Sequence, residues 1–302
     1  MNDDSPKRPK WVPVLLVVLP LWLFASGGVA LWYFHKKEKQ AARIEQERFV
    51  QSVSIPMLTD DLKKIVEVIG ERNGSSETAA ENLTRTAAMI QGTLGPSNTG
   101  YNVHINNGPA DWPLVRVTID GKKPNAPAVW VLTSYDSRPG SKGAEANATG
   151  LAATIAAAQA LAGDKPEAPI HFMFLPHAND PESPILETAA KFLKIAGAPK
   201  IVLCVEAMGA GEELWLSSRD TSAAPLSLAE KLGSVRGAET VCLGDDTDLS
   251  SVLFEINVPA VRVATRAMVT ADESDDQVPS PATVAASAGR LVELIRRCAA
   301  LR

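Results

Sequence analysis

From residue 56 onward the apolar positions switch between two periods. Leu58, Leu62, Ile65 and Ile69 recur at helical spacing, and Leu83, Ala87, Ile90 and Leu94 repeat it until Gly95-Pro96 stops the helix. Apolar runs of strand length follow: Tyr101 to Ile105, Leu114 to Ile119, Ala128 to Thr133, Ile170 to Leu175 and Ile201 to Val205. The last three are nearly continuous, the pattern of interior strands covered on both faces. Between them lie helical patterns on Leu151, Ile155, Ala158 and Ala162, then on Leu186, Ala190 and Leu193. Glu213 to Leu216 reads as a further strand, Pro225 to Leu232 as a helix, Val258 to Ala264 as a strand, and Val284, Ala288, Leu291, Ile295 and Cys298 as a closing helix. Strand and helix alternate with no intervening linker, which predicts one α/β domain over residues 56–302. Its expected form is a three-layer sandwich around a mostly parallel central sheet joined by right-handed crossovers.

Ahead of this domain the pattern changes. Residues 11–34, from Trp11 to Phe34, contain no charge, and a helix of that length rises about 36 Å, enough to cross a hydrocarbon core of about 30 Å. Trp11 near one end and Trp32 with Tyr33 near the other suit the two membrane interfaces. The segment is therefore expected to be a single transmembrane signal anchor, following a tail over 1–10. A cleaved signal peptide is the alternative, but it would have a shorter apolar region. Residues 35–55 are charge-rich and suit a solvated helical stalk. Lys7, Arg8 and Lys10 precede the span and Lys36, Lys37, Lys39, Arg43 and Arg48 follow it, so charge counting alone slightly favours a cytoplasmic domain.

Charge and cysteine content remove several function classes. The first 50 residues hold eight Lys/Arg and five Asp/Glu, a local +3 in a chain of net −5, which leaves −8 on the rest. No concentrated basic face is present, so no nucleic-acid partner is expected. Cys204, Cys242 and Cys298 are too few and too widely spaced for a disulfide framework or a zinc knuckle.

In an open parallel sheet, ligands bind beyond the carboxyl ends of the strands. Those ends carry Ser134-Tyr135-Asp136-Ser137, Pro176 to Asp180, and Glu206, and the loop Gly140 to Gly150 feeds the next helix. Here the sequence resembles the zinc aminopeptidases of peptidase family 28. That family carries His-Tyr-Asp-Ser and then Gly-Ala-Asp-Asp-Asn-Ala-Ser-Gly; this chain has Ser134-Tyr135-Asp136-Ser137 and Gly143-Ala144-Glu145-Ala146-Asn147-Ala148-Thr149-Gly150. Ile69-Gly70-Glu71-Arg72 and Asn257-Val258-Pro259-Ala260 also look like the family, so the resemblance runs from about Leu58 to the last residues. It implies a zinc-exopeptidase-like, phosphorylase/hydrolase-like fold on the extracytoplasmic side of a membrane.

The resemblance also implies where metals would sit, and there the residues differ. The first zinc-binding His falls on Ser134 and the bridging Asp on Ala146. The general base and the ligand after it fall on Ala178 and Asn179, or on Asn179 and Asp180 if Pro181 is matched instead. The later metal-binding Asp falls on Glu206 and the final His on Val269. Alanine and valine donate nothing to a metal, and zinc needs imidazole, thiolate or carboxylate donors. The expectation is a catalytically silent, membrane-anchored pseudopeptidase that binds a peptide or protein partner, with no cofactor. The alternative is an active metallopeptidase with a rebuilt zinc site or a different alignment; the related glutaminyl cyclases, which use one zinc, meet the same objection. A residual pocket of Asp136, His177, Asp180 and Glu206 is the place where a makeshift metal site would form. A serine hydrolase built on Ser134 lacks both the Gly-x-Ser-x-Gly elbow and a paired His. Asp136 and Asn147 also have a structural explanation, shaping the loop and capping the helix.

Overall fold

The computed structural model describes residues 22, 26–28, 32–37, 53–180, 182–218, 238–242, 248–258, 260–270 and 272–301, with backbone only for 238–242. Most of the 11–34 span and of the 35–55 stalk, and all of the helix expected over 225–232, lie outside the described residues. Those of the first unit, 1–49, are helical at 22, 26–28 and 32–37. There Lys36 Nζ stands 5.1 Å from the Trp32 ring centre. Among the described residues no helix is long and apolar enough to cross a membrane.

The second unit, 50–302, begins with α1 (Ile55–Lys63), which widens into a π-helical stretch over Lys64–Ile69. Helix α2 (Glu77–Leu94) starts at Ser76, whose hydroxyl accepts the Ala79 N–H as an N-cap. Eight strands follow: β1 (Val103–Asn107), β2 (Pro113–Ile119), β3 (Val129–Ser134), β4 (Ile170–Leu175), β5 (Ile201–Val205), β6 (Leu214–Ser218), β7 (Ala238–Cys242) and β8 (Ala260–Ala264). Interleaved are α3 (Thr149–Ala160), α4 (Ile185–Ala196), α5 (Leu249–Glu255) and α6 (Pro281–Ala300). The strands form one sheet in the order β1-β2-β4-β3-β5-β8-β6-β7. Its centre, β4-β3-β5-β8, is parallel, whereas β1-β2, β2-β4 and β6-β8 pair antiparallel. The antiparallel pairs flank the parallel centre, a common arrangement for large sheets.

Side chains alternate across each strand, and the two faces are covered by different helices. Val129, Val131, Phe172, Phe174, Leu203 and Val263 share a core with residues of α1, α2, α3 and α6. Trp130, Leu132, Met173, Val202 and Cys204 share another with Ala189 and Phe192 of α4 and Leu249 and Leu253 of α5. Residues on both faces of β3 are buried throughout, as its unbroken apolar run predicts.

Candidate functional site

All the residues singled out at strand ends sit at the carboxyl edge of the parallel centre, because β3, β4 and β5 run in the same direction and end side by side. Ser134 closes β3, and its neighbours are amides. The Asn147 Nδ2 donates to Ser134 O at 2.7 Å and to Ser134 Oγ at 2.9 Å, and the Asn179 Nδ2 donates to the same hydroxyl at 2.9 Å. Ser134 Oγ thus faces two amide groups instead of an imidazole, an arrangement with no base to activate it as a nucleophile.

Asn147 sits inside a π-helical turn, Ala144–Ala148, ahead of α3. It is not the helix cap; its Oδ1 accepts Arg72 Nη2 at 2.9 Å. Arg72 is fully buried, and its guanidinium also donates to Tyr135 O, Ile65 O and Gly70 O. These bonds replace water around a charge that would be costly to bury bare. Burial still pulls Arg72 down to about 10, with Asp136 and Asp275 opposing. The turn is fixed from its other side by Asp275, whose carboxylate accepts the backbone N–H of Glu145 and of Ala146. Gly143, at φ +60, precedes it, and a Cβ there would lie 2.9 Å from Ser137 Cβ, so glycine meets both the left-handed backbone and the close approach.

Asp136 is buried and fully occupied. Its Oδ2 accepts the backbone N–H groups of Ala178, Asn179 and Asp180 at 2.9, 2.8 and 3.1 Å, and its Oδ1 accepts the Asn179 side chain at 3.0 Å. Burial pushes its carboxyl up, opposed by those four bonds. Asp136 therefore shapes the loop after β4, the structural role open to it in the sequence. Asp180 caps the next turn, its Oδ1 accepting the Glu182 N–H at 3.0 Å.

Glu206 faces an arginine. Its Oε2 lies 2.7 Å from Arg262 Nε, and its Oε1 accepts the Leu249 N–H at 3.1 Å. Arg262 rises from the middle of β8 with only 1% of its side chain exposed, and its Nη1 donates to Arg266 O at 2.9 Å. Burial raises the Glu206 carboxyl, with Arg262 as the main opposing charge. The carboxylate that the resemblance retains at a metal position under either match is therefore already matched to an internal cation. Val269 and Ala146, both partly buried, offer no donor atom.

Zinc in such a fold would need several imidazole or carboxylate donors converging on one point. Ser134, Ala146 and Val269 supply none, Asn179 supplies an amide committed to Ser134 and Asp136, Asp180 accepts the Glu182 N–H, and Glu206 is paired with Arg262. The donor set does not fit the ion. Among the described residues no group of three His, Cys, Asp or Glu side chains is placed to hold a metal.

His177 is fully buried, not an exposed loop residue as a lone polar-loop histidine would usually be. Its Nδ1 is 2.7 Å from Thr188 Oγ1, its Nε2 has no partner, and its ring lies 4.9 Å from that of Trp112 at 34°. Burial pulls its pKa down to about 4, despite Asp180 nearby. His177 and Asp180 line a cavity of about 940 Å³; Asp136 turns its carboxylate to the loop after β4, and Glu206 its own to Arg262 and the start of α5. His104 and His171 stay in strands β1 and β4, the latter 2.9 Å from Thr118 Oγ1.

Arg262, Asp275 and Trp112, which help define this site, went unread in the sequence, and Arg72 was read only as part of the resemblance. Arg262 had a signal, a charge in the middle of the apolar run Ala260–Ala264, which a buried strand accepts only with a partner.

No protein-family model and no curated protein matches the sequence. Solved structures do match. The LapA aminopeptidase of Legionella pneumophila superposes with a TM-score of 0.65 at 15% identity, covering 86% of this chain and 75% of that one. A Zn-dependent exopeptidase from Parabacteroides distasonis gives 0.59 at 14%, covering 82% of this chain and 99% of that one. The glutaminyl cyclase of Tannerella forsythia gives the same TM-score, identity and coverages. The chain therefore carries the zinc-exopeptidase fold, with Ser134 bonded to Asn179 and Glu206 to Arg262 at the expected metal positions.

Proposed function

We propose that this protein is a membrane-tethered, catalytically silent domain of the aminopeptidase fold that acts by binding a peptide or a protein. The observation that carries the reading is the Glu206–Arg262 pair. A guanidinium on the surviving carboxylate opposes a divalent cation there. Meanwhile the Ser134, Asn147 and Asn179 network holds neutral groups where an electrophile and a general base would have to sit. Tethering rests on the uncharged run from Trp11 to Phe34, with the domain proposed on the extracytoplasmic side. No cofactor is part of this reading.

Elemental analysis of the purified full chain after zinc loading, paired with an aminoacyl-anilide assay, tests the silence. The expected result is far less than one zinc per chain and no turnover above background. About one zinc per chain with turnover that vanishes in Glu206→Ala would overturn it in favour of an active metallopeptidase. Protease accessibility in intact cells tests placement: digestion of the domain before the membrane is breached is expected, and complete protection would reverse the orientation.

A further inference from the structure

The cavity of about 940 Å³ beyond β3 and β4 has walls of uneven chemistry. Five carboxylates line it, Asp180, Glu182, Glu273, Asp275 and Asp276, against a single arginine, Arg138. The Arg138 Nη1 and Nη2 are spent on the backbone oxygens of Thr270 and Glu273. Glu273 is paired with Arg266, and Asp275 holds the N–H groups of the π-turn. Glu182 and Asp276 are exposed, which leaves a negative rim.

On another wall stands Trp112, held edge-on by Gly74, where a Cβ would fall 2.8 Å from the indole ring. The chain reaches Trp112 through Ala110 and Asp111, both in the left-handed region at φ 56 and 58. Behind the indole, His177 is completely buried, with Nδ1 on Thr188 and Nε2 unpartnered. With the Nδ1 proton donated to Thr188 Oγ1, the Nε2 of this cavity-lining residue carries an unused lone pair. A buried polar atom without a partner is rare and calls for one.

An aromatic face, an unmatched acceptor and a negative rim together describe a receptor for a flat or compact cation. We propose that this cavity binds the basic side chain, arginine or lysine, of a peptide segment. The cation would stack on Trp112 and be neutralised by Asp180, Glu182 and Asp276. This rests on the peptide-binding reading above and names the class of peptide.

The test uses fluorescence anisotropy on the full-length chain in mild detergent. One probe is a labelled, N-acetylated glycine–serine peptide carrying a single arginine. A second has citrulline in that position, and a third has no basic residue but a free amino terminus. Tight binding of the arginine peptide is expected, with citrulline weaker by about tenfold, the scale of a lost cation contact. Glu182→Gln and Asp276→Asn, both at the exposed rim, should each weaken the arginine peptide about threefold with unchanged melting, and Trp112→Leu should weaken it further. Equal binding of arginine and citrulline peptides, no binding of either, or indifference to all three substitutions would overturn the proposal. So would binding of the free-amine peptide alone, which would assign the cavity to an amino terminus. Recovery of the peptides by mass spectrometry separates the two readings. Loss of the amino-terminal residue from the free-amine probe while the arginine peptide still binds keeps this cavity and ends the silent reading, whereas an arginine peptide that does not bind, with the free-amine probe recovered intact, ends the cavity proposal alone.

Discussion

Replacing Arg262 with methionine keeps the length of the side chain but removes the charge beside Glu206. Two unit charges about 4 Å apart are worth about 4 kcal/mol at an effective dielectric near 20. Breaking a buried pair by removing one partner costs about 3–5 kcal/mol, because the remaining charge is left without compensation. The Arg262 side chain is 1% exposed and that of Glu206 18%, so solvent does little to reduce the loss, and the Nη1 bond to Arg266 O goes with it. For a domain of this size, about 4 kcal/mol is a fall of about 10 °C in Tm. The cost also depends on pH. Glu206 is already raised by burial, and without Arg262 its folded value moves further above the unfolded one, near 4.3. A carboxyl raised in this way contributes stability that is present below the unfolded value and lost as pH rises through the folded one. The deficit of Arg262→Met should therefore be full at high pH and shrink as the pH falls through the raised folded value of Glu206. The double variant Arg262→Met/Glu206→Leu should recover most of it, since an apolar replacement of both partners removes the buried charge altogether. Thermal melts from pH 5 to 8 on the four members of this cycle are the assay. A deficit under about 1 kcal/mol, or one that does not change with pH, would refute the view that Glu206 depends on Arg262 for its charge.

Two further perturbations follow from the loops around the site. Asp136→Ala removes the acceptor for three backbone N–H groups and the Asn179 side chain, and should cost about 3 kcal/mol in denaturant melts. Faster amide exchange confined to residues 178–180 should accompany it, while Asp136→Asn, which keeps one oxygen, should lose less. Glu145 is raised by burial to about 7, with the Gly209 N–H its main opposing contact. Its sign is the same as that of Glu206: stability is present below the unfolded value and declines as pH rises toward and through about 7. Glu145→Gln should flatten that decline, and an equally steep pH dependence in the variant would place the titrating group elsewhere.

Much of the sheet was legible because interior strands leave continuous apolar runs. The boundaries of β4 and β5 follow the sequence pattern residue for residue. The strand at Ala238–Cys242 did not, since Ala-Glu-Thr-Val-Cys has neither a continuous run nor clean alternation at its edge position. Helix α5, at seven residues, is too short for helical periodicity to register. At the site, sequence reasoning could say which donors are missing, because alanine and valine have no donor under any geometry. It could not say what the remaining groups do instead. Asp136 and Glu206 both read as carboxylates at a strand end, yet one is wrapped by backbone N–H groups from residues 178–180 and the other by an arginine 56 positions later. Those partners are fixed by which strands end side by side, and only the folded sheet brings them together.

Helix α3 has consequences for how the chain reaches this state. Of its twelve residues all but Gln159 are buried, and its sequence, Thr-Gly-Leu-Ala-Ala-Thr-Ile-Ala-Ala-Ala-Gln-Ala, has no polar face to turn toward water. The sheet covers one side, and α6 packs with α3 in the same core, contributing Val284, Ala288, Leu291 and Ile295, residues more than a hundred positions further along the chain. During synthesis α1 and α2 precede α3, but the ribosome releases α3 well before α6 exists, and at usual elongation rates that interval is on the order of ten seconds. Throughout it an apolar segment lacks the helix that covers it in the folded domain, the kind of surface on which chaperones act.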